Sequence, residues 1–164
     1  MKKNSTKKNG FSLFEVILSV ALVSLLLNGL FAAWYIAETR QRGLEDYWEA
    51  KETLETAFET THRILREKAD GSQPINILLG GQGIEFTDIN DGSVWQFYVT
   101  DGTSYKQVHN GEKVLLDNCN YINFNKVDAR SIEITLGVSK PSTWAGGADD
   151  LRIHGRVYVR NPHL

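Results

Sequence analysis

Apolar and polar positions along this chain fall into three successive patterns. In the first, apolar residues are nearly continuous from Phe11 to Ala37, and Glu15 is the only charged side chain. A run of about 27 residues would measure roughly 40 Å as an α-helix. This length exceeds the hydrocarbon core of a bilayer, which is about 30 Å thick. The pattern therefore predicts a membrane-spanning helix near the start of the chain.

The second pattern begins at Glu38, where polar residues become frequent and apolar ones recur every three or four positions. The recurring positions are Leu44, Tyr47, Trp48, Leu54, Phe58, Thr61 and Leu65. This spacing predicts an amphipathic helix over 44–68 with one buried stripe. The helix is expected to continue the apolar one, with a bend possible at Gly43, and to end at Asp70-Gly71.

The third pattern is a series of short alternating runs separated by turn residues. The runs cover 83–87, 94–100, 104–109, 113–116, 119–124, 131–138 and 151–160. Asp101-Gly102 and Asn110-Gly111 are dipeptides typical of tight hairpins between antiparallel strands. The predicted fold class is therefore α+β, with one long N-terminal helix packed on an antiparallel β-sheet.

The distribution of charge predicts how the chain is oriented in the membrane. The 164 residues carry a formal net charge of −2, and four lysines, Lys2, Lys3, Lys7 and Lys8, precede the apolar run. Without those four positive charges the balance falls to −6. Basic residues ahead of a span favour a cytoplasmic N-terminus and place the remainder outside. An acidic domain also argues against a nucleic-acid groove, which usually shows basic patches.

No catalytic group of residues emerges from the sequence, so the prediction is a protein without enzymatic activity, cofactor or metal. The histidines are scattered without zinc-ligand spacing, at His62, His109, His154 and His163. The one cysteine, Cys119, lies in a predicted strand and is interpreted as a packed residue.

Two short segments resemble binding loops, but a turn is the favoured prediction for each. Asp88, Asn90 and Asp91 before Gly92 resemble part of a calcium loop, but the spacing is not that of an EF-hand, so a hairpin turn is favoured. The glycine-rich segment 80–83 lacks the lysine and helix of a phosphate-binding loop and is predicted to be a turn.

The start of the chain resembles a known processing signal. The sequence Gly10-Phe11-Ser12-Leu13-Phe14-Glu15-Val16, between a lysine-rich leader and a long apolar helix, resembles the class III signal of type IV pilins and type II secretion pseudopilins. Phe14 is a minor departure from that family's pattern. The resemblance implies a leader over 1–10 cleaved after Gly10, an N-methylated Phe11, an assembly segment over 11–37 and a globular pilin domain over 38–164.

Glu15 needs a physical explanation, because a charge near the centre of a membrane helix costs about 2.5–3.5 kcal/mol. The resemblance implies that Glu15 of one subunit meets the cationic Phe11 amine of a neighbour and so sets the assembly register. The alternative is a glutamate near the end of an ordinary membrane anchor that reaches the interface. An ordinary secretory signal is excluded, because its apolar region would be shorter and would precede the cleavage site.

The remaining sequence suggests a subtype. The segments 95–118, 134–140 and 156–161 look like those of the J-type pseudopilin and the W-type minor pilin. The expected function is a minor subunit in a tip complex of a pilus or pseudopilus. Its expected partners are other pilins, the prepilin peptidase and methyltransferase, the assembly platform and inner-membrane lipid. The alternative is a tip adhesin or DNA-binding module for competence, with Trp144 in the loop 139–150 as its contact; Trp144 folded back onto its own sheet is equally open.

Overall fold

The computed structural model describes residues 12–128, 130–139 and 150–159. Contacts divide this chain into a unit that ends at Arg42 and a unit that begins at Gly43. One helix, α1, runs from Leu13 to Lys68 and is followed by strands. The strands are β1 (Asn76–Leu78), β2 (Gly83–Thr87), β3 (Val94–Thr100), β4 (Ser104–Val108), β5 (Glu112–Leu116), β6 (Cys119–Lys126), β7 (Ser131–Val138) and β8 (Leu151–Tyr158). The α+β prediction is confirmed.

The strands form two antiparallel sheets, whereas the sequence predicted one. Strands β1 to β5 pair in chain order in a five-stranded sheet, and β6 to β8 do so in a three-stranded sheet. The predicted hairpin turns are present. Asn110 and Gly111 both have positive φ, 53° and 135°, and Asp101 and Gly102 have 55° and 73°. Three residues connect the paired ends of each hairpin, 101–103 and 109–111, and the two with positive φ in each are of the types that tolerate it, Asn, Asp and Gly.

The segment before β2 holds the elements that the sequence did not predict. Strand β1 has only three residues, and the expected turn over Gly80 and Gly81 is a short 3-10 helix from Leu79 to Gly81. Strand β1 pairs with β2, and its first residue, Asn76, lies opposite Glu85. A strand this short has too few positions to show alternation, so its pattern cannot be told from that of a loop.

The second half of α1 packs against the sheets through a stripe that the sequence predicted only in part. Leu54, Thr61 and Leu65 are buried as expected. Leu44 and Trp48, predicted for the same stripe, are instead 51% and 59% exposed. Small residues, Ala50 and Ala57 among them, take the place of large ones on the side that packs. The helix therefore carries two large apolar side chains on its solvent side.

Close approach of α1 to β8 depends on Gly155. A Cβ atom at this position would lie 2.6 Å from the ring of Phe58, well inside the contact distance of two carbon atoms. Gly155 belongs to the inner side of the three-stranded sheet, as does Val157, which is fully buried. The ring of Phe58 thus occupies the space that any other residue at 155 would fill.

One buried hydrogen bond joins α1 to the five-stranded sheet. The hydroxyl of Thr61 donates a hydrogen bond to the carbonyl of Ala57. It accepts one from the hydroxyl of Tyr105 on β4, at 2.8 Å. Burial raises the pKa of Tyr105, so the phenol stays protonated and remains a donor. This pair satisfies two hydroxyl groups in a core that otherwise offers them no water.

A carboxylate holds the end of α1 against β2. Asp88 is 3% exposed and accepts hydrogen bonds from the backbone and side chain of Asn90, both 2.8 Å, and from the indole of Trp95 at 3.1 Å. The ammonium of Lys68, the last residue of α1, lies 3.5 Å away. Burial raises the pKa of Asp88, but the hydrogen bonds from Asn90 and Trp95 and the charge of Lys68 outweigh it and hold the pKa below its ordinary value.

Replacing Asp88 by alanine is expected to lower the free energy of unfolding at pH 7 by about 1–3 kcal/mol, because it leaves the buried indole N–H of Trp95 without its acceptor. Since the folded-state pKa is lowered, the contribution of Asp88 is fully present above the ordinary pKa of 3.8 and is lost as pH falls through the folded value. Urea unfolding of the full chain in detergent at pH 7, 4 and 3, on wild type and variant, measures both effects.

The control is Asp117→Ala, which removes an exposed carboxylate from the β5–β6 connection. The difference in stability between wild type and Asp88→Ala should shrink below pH 4, while Asp117→Ala should stay close to wild type throughout. A difference that stayed constant down to pH 3 would show that the charge of Asp88 does not stabilise the fold.

Candidate functional site

The first half of α1 exposes apolar side chains along its length. An 18-residue window here has a mean hydropathy of 2.4, and none of it is buried. The exposed large residues include Phe14, Leu25, Leu30, Phe31 and Trp34, each more than 60% exposed. By length and composition alone, this helix is a candidate membrane span. Exposed apolar area of this extent needs lipid or protein to cover it.

Glu15 is the only charged residue in the described part of this apolar segment, and it lies in the first turn of α1. The backbone N–H of Glu15 donates to the hydroxyl of Ser12 at 3.2 Å, and the backbone N–H of Ser12 donates to the carboxylate of Glu15 at 3.4 Å. This reciprocal pair is a capping box, with Ser12 as the N-cap and Glu15 three residues later. The carboxylate is thereby held at the positive end of the helix.

The capping box has a recognisable sequence signature that the sequence-based prediction did not use. Serine, two residues and glutamate ahead of an apolar run occur at 12–15, but the role predicted for Glu15 came from its charge and from the family resemblance. The contact supplies part of the compensation that a carboxylate in this segment requires. Glu15 therefore has an intrachain partner as well as the intersubunit one that the sequence predicts.

Several predicted site residues lie outside the described residues. These are Gly10 and Phe11, at the predicted cleavage point, and Trp144, in the loop between β7 and β8. The structure accordingly brings Glu15 together with Ser12 and bears on neither the processing site nor the predicted contact at Trp144.

The apolar segment is followed by a polar turn of helix. Arg42 donates to Glu38 at 2.5 Å, one turn away, and the hydroxyl of Thr39 donates to the carbonyl of Tyr35. Trp34 and Tyr35, just before this turn, are 65% and 71% exposed. Aromatic residues followed by charged ones are the usual order at the end of a membrane span.

The residues considered for chemistry are mostly engaged in structural contacts. Cys119 is buried, and burial raises the pKa of its thiol, which is thereby kept protonated. Asp88, part of the segment that resembles a calcium loop, is surrounded by Asn90, Trp95 and Lys68. Asp91 accepts hydrogen bonds from the backbone and hydroxyl of Ser93. Within the described residues, no group of three histidine, cysteine or acidic side chains is placed to hold a metal ion.

One open groove of about 690 Å³ lies between α1 and the connection from β5 to β6. Its lining includes Ala50, Thr53, Leu115 and Val138, with the carboxylates of Glu49 and Asp117 at its polar positions. The lining also includes the hydroxyl groups of Thr53, Thr103 and Ser139 and the buried thiol of Cys119.

No protein-family model, curated protein or solved structure matches this chain. The apolar helix segment with its capped glutamate, and the second half of the same helix packed on antiparallel sheets, are the features that bear on function.

Proposed function

We propose that this chain is a non-enzymatic minor pilin or pseudopilin subunit, built into a type IV pilus or a type II secretion-like pseudopilus. The observation that carries the proposal is the division of one helix into two kinds of surface. Residues 13–37 expose apolar side chains almost without interruption, whereas the helix from Gly43 packs a buried stripe on sheets. A subunit stored in lipid and then moved into a filament core needs this combination.

Glu15 supports the same proposal. A carboxylate four residues into an apolar run is costly in lipid, and the capping box with Ser12 supplies only part of the compensation. In a filament the carboxylate of one subunit can pair with the Phe11 amine of the next, because a new α-amino group is cationic at neutral pH. The capping box with Ser12 fixes where the carboxylate lies relative to the helix start.

The proposed location follows from the lysine-rich leader. Basic residues before the span favour a cytoplasmic N-terminus, which places the sheets outside the inner membrane. The proposed partners are other major and minor pilins, the prepilin peptidase and methyltransferase, and the inner-membrane assembly platform. A place in a tip or initiation complex is the subtype that the sequence resemblance favours.

Cleavage after Gly10 is the first consequence to test. In cells that contain a prepilin peptidase, the intact mass of the membrane-extracted protein should fall by residues 1–10 and rise by one methyl group. The residue before the cut must be unhindered, so Gly10→Leu should leave the mass at that of the uncut chain. Mass spectrometry of the extracted protein, with and without the peptidase, gives this result directly.

The matched control is Gly29→Ala, a change inside the apolar helix with open space around it. This variant should be processed normally. A wild-type chain that stayed uncut in the presence of the peptidase, or was cut beyond Ala37, would make it a membrane anchor or a secreted domain and would end the pilin proposal.

A further inference from the structure

The unit that begins at Gly43 has two layers whose outer surfaces point in opposite directions. Phe58 of α1 packs on Gly155, which puts the helix on the inner side of the three-stranded sheet. Side chains alternate along β8, so Arg152, His154 and Arg156 lie on the outer side, away from the helix. The solvent side of α1 and the outer side of this sheet are therefore back to back across the core.

Between Glu45 and Glu59 the solvent side of α1 is mainly acidic and carries one exposed tryptophan. We call it the acidic face and define it by Glu45, Trp48, Glu52, Glu55 and Glu59, all of which are exposed. Glutamates three and four positions apart, such as 52, 55 and 59, repel one another and cost helix stability, and Lys51 relieves this at Glu55 through an ion pair of 3.6 Å. Trp48 is 59% exposed within this set, with Lys51 located 5.1 Å from the centre of its ring.

The outer side of the three-stranded sheet has the complementary character. We call it the arginine face and define it by Tyr121, Arg152, His154, Arg156 and Tyr158. Arg152 lies over the ring of Tyr121 at 4.4 Å, and Tyr158 is 66% exposed. The arginines pair with Asp150 and Glu133, but their side chains are 53% and 44% exposed against 33% and 25% for those carboxylates. The surface that a partner meets is therefore mainly guanidinium and tyrosine.

Gly137 fixes the geometry of the arginine face. It lies on β7 between Tyr121 and Arg152 in the sheet register. A Cβ atom at Gly137 would be 3.1 Å from the Cγ of Arg152 and 3.2 Å from the Cβ of Tyr121. The missing side chain lets the arginine lie flat across the strand onto the tyrosine, which orders the guanidinium before any partner arrives.

We propose that the acidic face of one copy of this chain binds the arginine face of a second copy. Tryptophan, tyrosine and arginine are the residues that most often dominate the energy of protein interfaces, and opposite charges guide such surfaces together. The glutamates would repel an anionic lipid surface or a nucleic acid. A second copy supplies the positive, aromatic surface that the acidic face fits.

Because the two faces differ and point in opposite directions, each contact leaves one acidic face and one arginine face unpaired. A heterologous contact of this kind adds copies one after another and does not close as a two-fold dimer does. The contact involves only the unit from Gly43, so it goes beyond the proposed function and requires neither cleavage after Gly10 nor methylation.

The test uses the full chain in detergent micelles, which cover the apolar helix. Light scattering at about 0.1 M salt, where charges act over about 10 Å, should show a mass that rises with protein concentration. At about 1 M salt, where the range falls to about 3 Å, the mass should return to that of one chain per micelle. A wild-type mass that is independent of concentration at low salt would overturn the proposal.

Charge reversal makes the test specific. One double variant is Glu52→Arg with Glu55→Arg, and the other is Arg152→Glu with Arg156→Glu. Each should abolish the rise in mass, because the acidic face and the arginine face of that variant then carry charges of the same sign. A mixture of the two variants should associate again, because each face then meets one of opposite sign. If each variant failed to associate and the mixture also failed to associate, the contact between these two faces would be excluded as the cause.

Trp48→Ser keeps the test decisive if an arginine variant fails to fold. Trp48 is exposed, so this change should leave the fold intact while weakening association by about tenfold, as expected for an aromatic anchor worth more than 1 kcal/mol. The matched control is Val114→Ser on β5, also an exposed apolar residue, at 46%. Equal association of wild type and Trp48→Ser would exclude the acidic face as the contact, whatever the outcome of the processing test.

Discussion

Replacing Glu15 by alanine is expected to reduce incorporation of the chain into filaments by about tenfold or more, with membrane insertion unchanged. Truncating one member of a desolvated charge pair typically costs about 2–5 kcal/mol, and each 1.4 kcal/mol is tenfold. Insertion should not suffer, because the variant makes the apolar segment more apolar. The measurement compares the fraction of processed protein in sheared filaments with that in the membrane.

The structure supplies a way to separate the charge of Glu15 from its cap. Glutamine also closes a capping box, so Glu15→Gln keeps the contact with the backbone of Ser12 but removes the charge. Ser12→Ala does the reverse, since it removes the hydroxyl that accepts the N–H of Glu15 and leaves the carboxylate. If an intersubunit charge pair sets the register, Glu15→Gln should be as defective as Glu15→Ala, and Ser12→Ala should be milder.

If Ser12→Ala were more defective than Glu15→Gln, Glu15 would have a different role. Normal incorporation of Glu15→Gln together with a strong defect in Ser12→Ala would show that the glutamate serves to start the helix. Normal incorporation of Glu15→Ala itself would remove the registration role, while the mass of the processed chain would still decide whether the protein enters the pilin pathway.

Leu65→Ala is expected to lower the free energy of unfolding by about 2–5 kcal/mol, the range for deleting a buried leucine side chain and leaving a cavity. Leu65 is fully buried where α1 packs on the sheets. A typical domain is stable by about 5–15 kcal/mol, so this change removes a large share of the total. Urea unfolding of the full chain in detergent, followed by tryptophan fluorescence, measures the difference.

Leu44→Ala is the matched control, with the same chemical change on the same helix. Leu44 is 51% exposed, and substitutions at such positions usually stay within about 0.5 kcal/mol. The sequence pattern assigns both leucines to one buried stripe and predicts similar losses. A loss at Leu44 as large as that at Leu65 would mean that the first turns of the packed helix are also covered by the sheets.

The sequence alone determined the elements of this protein with few errors. Alternation and turn dipeptides located most strands to within two residues, because side chains on a half-buried strand must alternate and Asn-Gly or Asp-Gly accepts the positive φ of a tight turn. A charge-free run after Glu15 was enough to identify the exposed apolar helix. These properties depend on neighbours a few positions away, which the sequence displays directly.

Other properties depended on how elements that are distant in the sequence pack against one another. Leu44 and Trp48 have the spacing of core residues, yet they lie on the solvent side, because the stripe that packs passes through Ala50 and Ala57. The split into two sheets, the contact of Phe58 with Gly155 and the separation of the acidic face from the arginine face are likewise tertiary facts. Periodicity tells which residues share a side of a helix or strand, whereas burial requires a partner opposite that side, and only the packed chain determines where that partner lies.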